Sequence, residues 1–194
     1  RASQGITRAD NKATGEIIVV EFKAWPKIPR GGKDLVTVTE KIDGTNACII
    51  IEGGEIVGVQ SRKRLITPEQ DNYGFAGWVS RNAAELVKLG DGYHYGEWAG
   101  LGIQKNPHNI GEKVFFLFNT HRWMQDPSLP VICAVVPVLY HGAYYENMVE
   151  DIMLTLKEDA EGTCEPEGII VYSHTTKCMT KYTFKFSEGK WREF

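Results

Sequence analysis

The stretch that decides the fold is 40-EKIDGTN-46, a polar segment that joins the apolar runs 35-LVTVTEK-41 and 47-ACIIIEGGEIVGVQSR-62. β-Branched residues dominate both runs, which predicts strands. Lys41 then stands at the end of the first strand, and Asp43-Gly44 is expected to form a tight turn that lets the ammonium project into a pocket. Lysines act as nucleophiles when burial or neighbouring cations lower their pKa, but a solvated turn lysine is the commoner case.

Outward from this stretch, periodicity and turn residues predict an α+β domain. Apolar residues recur at helical spacing in 74-GFAGWVSRNAAELVKLG-90 and 146-ENMVEDIMLTLKEDA-160. Gly53-Gly54 predicts a hairpin turn within 47–62. The other predicted strands are 17–25, 92–100, 113–120, 131–140, 168–173 and 180–186. The expected architecture is mainly antiparallel sheet with flanking helices.

Composition limits the classes of function. The 194 residues are 42% hydrophobic and 24% charged, which is typical of a folded globular protein. A net charge of -3 gives no overall attraction to nucleic acid or membrane, so a nucleic-acid substrate would need a local basic site. No run approaches the roughly 20 apolar residues of a membrane span. Residues 1–16 are predicted to be a polar, unpatterned lead, and 17–194 a single domain.

The residues that commonly bind metals show no metal-binding pattern. The four cysteines are scattered without a C-x-x-C pair, which predicts reduced thiols instead of disulfides or a zinc site. The five histidines show no ligand spacing and are predicted to be structural or superficial. We expect a monomer in the cytoplasm with no membrane partner.

Further segments with polar residues follow Lys41 at intervals along the chain. Strand alternation places Lys181, Thr183 and Lys185 on one side of the last predicted strand. Glu97 and Glu167 each lie next to glycine and apolar residues. The segments concerned are 61-SRKR-64, 95-YGEWAG-100, 115-FFLFN-119, 165-EPEGIIVY-172 and 181-KYTFK-185.

In this order the segments resemble the motifs of the covalent nucleotidyltransferase superfamily of ligases and capping enzymes. Within it they are most similar to the phage-type ATP-dependent RNA ligases. The likeness runs through K-x-D-G-T-N, S-R, Y-G-E, F-x-x-F-N, E-G-I-I-V-Y and K-Y-T-F-K, and covers residues 17 to 186. It implies a nucleotidyltransferase (ATP-grasp-like) ligase domain.

The resemblance implies a three-step reaction that uses ATP and Mg²⁺ (or Mn²⁺). By the match to the first motif, Lys41 attacks the α-phosphorus of ATP and forms lysyl-AMP. AMP then passes to a 5′-phosphate of RNA, and a 3′-OH displaces AMP and seals the strand. Arg62, Lys181 and Lys185 are expected to flank the lysine, where cations favour a neutral amine and neutralise phosphate charge.

The same resemblance implies residues that bind ATP. Glu40 resembles the residue that reads the adenine amino group, and Ile42 lies in the same set. Asn46 and Arg62 resemble contacts to phosphate and to the RNA 3′ end. Phe118 resembles the aromatic residue that stacks on adenine.

Two carboxylates and two lysines complete the implied site. Glu97 resembles the glutamate that binds the ribose hydroxyls, and Glu167 the one that holds the metal shell, with Glu97 as a second candidate ligand. Both Lys181 and Lys185 are ATP-binding candidates. Lys181 is favoured as the main phosphate contact, although edge-strand charges with no role would look the same.

Several alternatives stay open. Within the superfamily these are a ligase for DNA or hybrid strands, which Asn46 in place of arginine argues against, and a capping-type guanylyltransferase. A different class is a non-catalytic nucleotide-binding module. Only eight residues follow Phe186, so we expect no C-terminal OB or helical domain, in a ligase that is either minimal or truncated. A phage-encoded protein would work in the host cytoplasm.

Overall fold

The computed structural model describes residues 6–10, 17–21 and 34–184. The chain forms two compact units, 1–30 and 31–194. In the first unit β1 (Ile6–Asp10) pairs antiparallel with β2 (Ile17–Glu21), with Ile6 opposite Glu21. The apolar run after residue 16 therefore forms a strand as predicted, while residues 22–25 lie outside the described residues.

The N-terminal lead contains structure that its sequence did not indicate. Strand β1 lies within residues 1–16. Only Ile6 in this strand is strongly apolar, so pairing through the backbone leaves no hydrophobic pattern to detect. The pair β1–β2 joins residues on both sides of the predicted boundary at residue 17, and the division of the chain into a lead and a single domain stays a prediction.

The second unit contains nine strands, four α-helices and one 3₁₀ turn within the described residues. Their bounds, in chain order, are β3 (Leu35–Glu40), β4 (Gly44–Glu52), β5 (Glu55–Ser61), α1 (Phe75–Arg81), α2 (Ala83–Leu86), the 3₁₀ turn (Val87–Leu89), β6 (Gly92–Gly100), β7 (Lys113–Leu117), α3 (Thr120–Trp123), β8 (Cys133–Val135), β9 (Val138–Ala143), α4 (Met148–Asp159), β10 (Gly168–Ser173) and β11 (Met179–Thr183).

These strands form two sheets. The order is β11-β10-β3-β9 in the four-stranded sheet and β5-β4-β6-β7-β8 in the five-stranded sheet. Every neighbouring pair is antiparallel except β7 and β8. The predicted class, α+β with mainly antiparallel sheets and flanking helices, is confirmed.

The hairpin predicted within 47–62 joins β4 to β5. Gly53 and Gly54 have φ values of 60° and 76°. Two successive residues with positive φ are what the favoured two-residue hairpin turn requires, and glycine adopts them without steric cost. Strand β4 begins at Gly44, three residues earlier than predicted.

Two predicted elements are divided in the structure. The run 131–140 was predicted as one strand, but it forms β8 and β9 in different sheets with Pro137 between them. Proline has no N–H to donate to a ladder, so the pairing ends there. The helical segment 74–90 breaks at Asn82 (φ −113°) into α1 and α2, and it ends as predicted at Gly90 (φ 76°).

The remaining elements agree with the predictions, with small shifts at their ends. Helix α4 and strands β6 and β10 lie where they were expected. Strand β7 stops at Leu117, so Phe118 lies just beyond it. Strand β11 is described to Thr183, and residues 185–186 of the predicted strand lie outside the described residues.

Each sheet buries one face. In the five-stranded sheet Ile49, Trp98 and Phe115 pack against Phe75 of α1. In the four-stranded sheet Val36, Val38 and Ile169 belong to a second core cluster with the α4 residues Met148 and Leu156. Fully burying each large apolar side chain stabilises the fold by about 1.5–3 kcal/mol. Because side chains alternate along strands, the opposite face of each sheet is left for polar residues.

Candidate active site

Backbone hydrogen bonds hold the end of β3 from both sides. The N–H of Glu40 donates to the carbonyl of Pro137 at 2.9 Å, just before β9. The N–H of Lys41 donates to the carbonyl of Gly168 at 2.9 Å, the first residue of β10. The backbone of Lys41 is therefore positioned by the sheet even though the residue lies one position beyond the strand.

The amine of Lys41 contacts the carboxylate of Glu167. Lys41 Nζ lies 2.5 Å from Glu167 Oε2, and the two side chains are 23% and 33% exposed. Within the described residues this oxygen has no other polar partner and is withdrawn from solvent. A side chain at Gly168 would collide with the carbonyl of Tyr182, which accounts for the glycine that follows Glu167.

Glu97 is a buried carboxylate that faces Asn46 across two strands. The register of β4 and β6 pairs these residues, and Asn46 Nδ2 donates to Glu97 Oε2 at 2.9 Å. Burial raises the pKa of Glu97 to about 7. The charge of Lys41 and the hydrogen bond from Asn46 lower this pKa, whereas Glu167 and Asp43 raise it. These interactions bring Lys41, Glu97, Glu167 and Asn46 into one site.

Gly44 is needed for close packing and not for a tight turn. The chain bends at Asp43, and β4 begins at Gly44. A Cβ at Gly44 would lie 2.5 Å from the carbonyl oxygen of Trp98 in β6. Asp43 Oδ2 accepts a hydrogen bond from the backbone of Lys105 at 3.0 Å, which ties the loop after β6 to the segment that follows the lysine.

A half-buried histidine that the sequence did not indicate contacts Glu40, the residue before Lys41. His108 Nε2 lies 2.8 Å from Glu40 Oε1, and neither atom has another polar partner within the described residues. The hydrogen bond to Glu40 raises the pKa of His108. His108 Nδ1 lies 3.4 Å from Cys164 Sγ. No spacing rule could have found the pair of His108 and Glu40, whose members are far apart in sequence. The role of Glu40 in reading adenine stays a prediction.

The aromatic candidates extend the polar face of the five-stranded sheet. Phe116 lies opposite Glu97 in the β6–β7 register and packs in a small cluster with Ile42, which is 7% exposed. Phe118 lies two residues further, so it is expected on the same face. The residue is 42% exposed, and its backbone N–H donates to the carbonyl of Tyr95. Phe118 thus offers an accessible ring, whereas Ile42 is a packing residue.

The predicted cations lie in different parts of the chain. Lys41 is paired with the carboxylate of Glu167, and the expectation that cations flank its amine stays a prediction. Lys181 lines a cleft of about 590 Å³ together with Glu167 and Asp43. Arg62 is exposed directly after β5, and within the described part of the chain it forms no hydrogen bond or ion pair. Lys185 lies outside the described residues.

The carboxylates of the site fit a magnesium site in which substrate and water supply the remaining ligands. Among residues 6–10, 17–21 and 34–184, no three His, Cys, Asp or Glu side chains are grouped to hold a metal ion. Mg²⁺ is commonly held by one or two carboxylates, with water and substrate phosphates as the other ligands. Glu97 and Glu167 affect each other's charge and fit this mode.

Among the described residues, no helix is both long enough and apolar enough to cross a membrane.

Comparison with known proteins identifies the family and relates the fold to solved structures. The family model described as RNA ligase matches residues 34–186. No curated protein sequence gives a significant match. Among solved structures, a variant of Naegleria gruberi RNA ligase determined with ATP and Mn is 19% identical, with a TM-score of 0.59 over 78% of this chain and 50% of that chain.

Other variants of the same enzyme give the same result. One determined with AMP and Mn is 20% identical with a TM-score of 0.57, again over 78% of this chain and 50% of that chain. One determined without ligand is 20% identical with a TM-score of 0.56 over the same shares. At this identity the likeness shows the fold. The chain spans about half the length of the solved RNA ligases that it matches.

Proposed function

The chain belongs to the RNA ligase family, and we propose that it is an ATP-dependent RNA ligase. It forms lysyl-AMP on Lys41, transfers AMP to a 5′-phosphate and seals that end to a 3′-OH. The observation that carries the proposal is the 2.5 Å contact between Lys41 Nζ and Glu167 Oε2, in a site that also holds the buried carboxylate of Glu97. A lysine in such a site is not a solvated turn residue.

In the first step Lys41 acts as the nucleophile. An ammonium has no lone pair, so a proton must leave Nζ before attack, and Glu167 Oε2 is the acceptor in contact with it. The nitrogen then bonds to the α-phosphorus of ATP while the bond from that phosphorus to the bridging oxygen breaks, and pyrophosphate leaves. The product is a phosphoramide between Lys41 and AMP.

The surrounding residues stabilise the charge that moves onto the leaving phosphates. Lys181 lines the same cleft as Glu167, where its cation can face phosphate oxygens. A Mg²⁺ or Mn²⁺ ion, when bound, would be held by Glu167 and Glu97 and would neutralise phosphate charge. Asn46, fixed by its bond to Glu97, presents an amide at the same place.

Two further contacts position the nucleoside. Glu97 can accept hydrogen bonds from ribose hydroxyls when it is ionised, and its bond to Asn46 orients the carboxylate. The exposed ring of Phe118 supplies a flat surface on which the adenine can stack.

The later steps need a surface for RNA. The acidic net charge requires a local basic site, and the exposed segment 61-SRKR-64 supplies one next to the polar end of β4 and β5. The 5′-phosphate attacks the lysyl-AMP, which frees the lysine. The 3′-OH of the neighbouring strand then displaces AMP from the activated end.

The proposal is tested by a pulse and chase. The chain is incubated with labelled ATP and Mg²⁺, separated from free nucleotide, and chased with a nicked RNA duplex that carries a 5′-phosphate and a 3′-OH. We expect acid-labile, lysine-linked label that disappears as joined RNA forms. Label from GTP instead would indicate a capping-type enzyme, joining of nicked DNA only would indicate a DNA ligase, and nucleotide exchange without any adduct would indicate a binding module.

A further inference from the structure

A second cavity of about 520 Å³ shares no lining residue with the cleft beside Glu167. One wall comes from β3, β9 and the residue after β10, and it includes Thr37, His141 and His174. The other wall is the segment that begins at α3 and includes His121 and Arg122. We call this cavity the histidine pocket. None of the residues assigned to the lysyl-AMP chemistry lies in it.

Thr37 holds two imidazole rings in the wall of the histidine pocket. Its hydroxyl oxygen lies 2.9 Å from His141 Nδ1 and 2.8 Å from His174 Nε2. The two rings meet edge to face at 5.5 Å, and Thr37 itself is 7% exposed. A buried hydroxyl that bridges two rings fixes their orientation more firmly than two surface histidines would be fixed alone.

The bridge also determines what the two rings offer to a ligand. A hydroxyl has one hydrogen, so it donates to one ring nitrogen and accepts from the other. With neutral rings, the two nitrogens that remain are then one acceptor and one donor, whichever way the hydroxyl points. Burial lowers the pKa of His174, which keeps its ring neutral. A paired donor and acceptor beside flat rings match the edge of a nucleobase.

Charge in the histidine pocket does not favour a phosphate. Besides the histidines, the charged lining residues are Arg122 and Asp126, which have opposite signs. The guanidinium of Arg122 donates to the carbonyl of Leu89 and lies 4.2 Å over the ring of Trp123. The carboxylate of Asp126 accepts hydrogen bonds from the backbone and hydroxyl of Ser128. An uncharged, planar ligand suits this lining better than an anion.

We propose that the histidine pocket binds a nucleobase of the RNA strand that is being joined. The inference rests on the proposed function and names a contact of its substrate. The cleft beside Glu167, at about 590 Å³, is by itself large enough for a bound nucleotide, since ligand pockets span about 300–1,000 Å³. Thr37 lies in β3 and precedes Lys41, which follows the end of β3, by four residues, or about 13 Å. An RNA strand whose end lies at Lys41 can span this distance.

The test compares RNA binding by wild-type and variant chains, with and without a base at single positions. Nicked RNA duplexes carry an abasic residue at one of the nucleotides flanking the nick, and dissociation constants are measured by anisotropy. We expect one abasic position to weaken binding by wild type about tenfold, the loss typical of one stacked base. His141→Ala and His174→Ala should weaken binding of the intact RNA to a similar degree, with no further loss on that abasic RNA.

Thr37→Val and Tyr145→Ala complete the set. Thr37→Val frees both rings while keeping side-chain volume, so it tests the pocket even if a histidine variant fails to fold. Tyr145 is a comparably exposed aromatic residue that packs on Tyr140 and does not line the pocket. Tyr145→Ala should leave RNA binding unchanged.

The outcomes separate this inference from the proposed function. Equal losses on intact and abasic RNA, no effect of the histidine variants, or no RNA binding by wild type would each overturn the inference. A rise in KM for ATP during formation of lysyl-AMP, in the histidine variants alone, would place the base of ATP in the pocket and also overturn it. None of these results affects whether wild type forms lysyl-AMP, which tests the proposed function.

Discussion

Lys41 Nζ and Glu167 Oε2 lie 2.5 Å apart because the register of two strands brings their backbones together. Glu40 pairs with Ile169 in the β3–β10 ladder, and the N–H of Lys41 donates to the carbonyl of Gly168. The lysine and the carboxylate therefore extend from adjacent ends of neighbouring strands. Two sequence motifs that are distant along the chain form one site through ordinary antiparallel pairing.

Replacing Glu167 should abolish formation of lysyl-AMP while the fold remains. Glu167→Gln keeps the side-chain size but removes the acceptor that contacts the amine, and with it a carboxylate for metal. We expect the rate of adduct formation to fall at least about hundredfold, as for loss of a general base. Single-turnover labelling with ATP measures it. Glu161→Gln, an exposed carboxylate in the same loop region, is the matched control; equal rates in both variants would contradict the assignment.

The raised pKa of Glu97 predicts how stability depends on pH. The folded pKa of about 7 lies above the usual 4.5, so the carboxylate favours folding below about pH 4.5, and this contribution is lost as the pH rises through about 7. The free energy of unfolding of Glu97→Gln minus that of wild type should rise by up to about 3 kcal/mol between about pH 5 and pH 8. Urea unfolding measures the difference. The same difference at both pH values would show that Glu97 titrates normally.

The same carboxylate should control the first step of the reaction. If ionised Glu97 binds the ribose, kcat/KM for ATP in adduct formation should rise with pH through about 7, since this quantity reports groups of the free enzyme. Glu97→Gln should react slowly at every pH. A wild-type profile that is flat between about pH 6 and pH 8 would rule out Glu97 as the titrating group.

Gly44 should be intolerant of any side chain. A Cβ would lie 2.5 Å from the Trp98 carbonyl, so Gly44→Ala should lower the free energy of unfolding by about 1–3 kcal/mol and slow adduct formation by displacing β4. At Gly111 nothing lies within 4 Å of the added carbon, so Gly111→Ala should be close to neutral. Thermal and chemical unfolding of the two variants make the comparison. Equal stability would mean that β4 and β6 separate easily here.

The pair of His108 and Glu40 also makes the free energy of unfolding depend on pH, here through a hydrogen bond and not through burial. The hydrogen bond that His108 donates to Glu40 raises the pKa of His108 above its usual 6.5. Its contribution to stability is therefore complete below about pH 6.5 and is lost as the pH rises through the folded value. His108→Gln should therefore destabilise the chain more at about pH 6 than at about pH 9. Unfolding at both pH values checks it, and a larger loss at high pH would refute the ion pair.

The parts of the fold that the sequence predicted are those with strong local signals. Runs rich in β-branched residues located β3, β4 and β10, an aromatic run located β6, and the Gly53-Gly54 pair located the hairpin. Strand β1 has one strongly apolar residue and gave no pattern. The division of 131–140 between two sheets depends on tertiary pairing. Pro137 allows a break in the strand but does not determine which sheet each half joins.

Prediction of the site from the sequence was limited in the same way. Motif order was enough to bring Lys41, Asn46, Glu97 and Glu167 together, because each residue lies at a place that strand pairing determines. Which partner each side chain contacts could not be predicted, and the contact of Lys41 with Glu167 was not among the predictions. The pairing of His108 with Glu40, like the Thr37 bridge, joins residues remote in sequence.

The most direct test of the account is the intact mass of the purified chain after incubation with ATP and Mg²⁺, beside Lys41→Ala and Lys105→Ala. Lys105 lines the same cleft as Glu167 but follows no strand end and is tied to Asp43 only through its backbone. We predict a gain of one AMP in wild type and in Lys105→Ala, and none in Lys41→Ala. A folded wild-type chain that gains no AMP, or a Lys41→Ala variant that still gains it, would contradict the central claim.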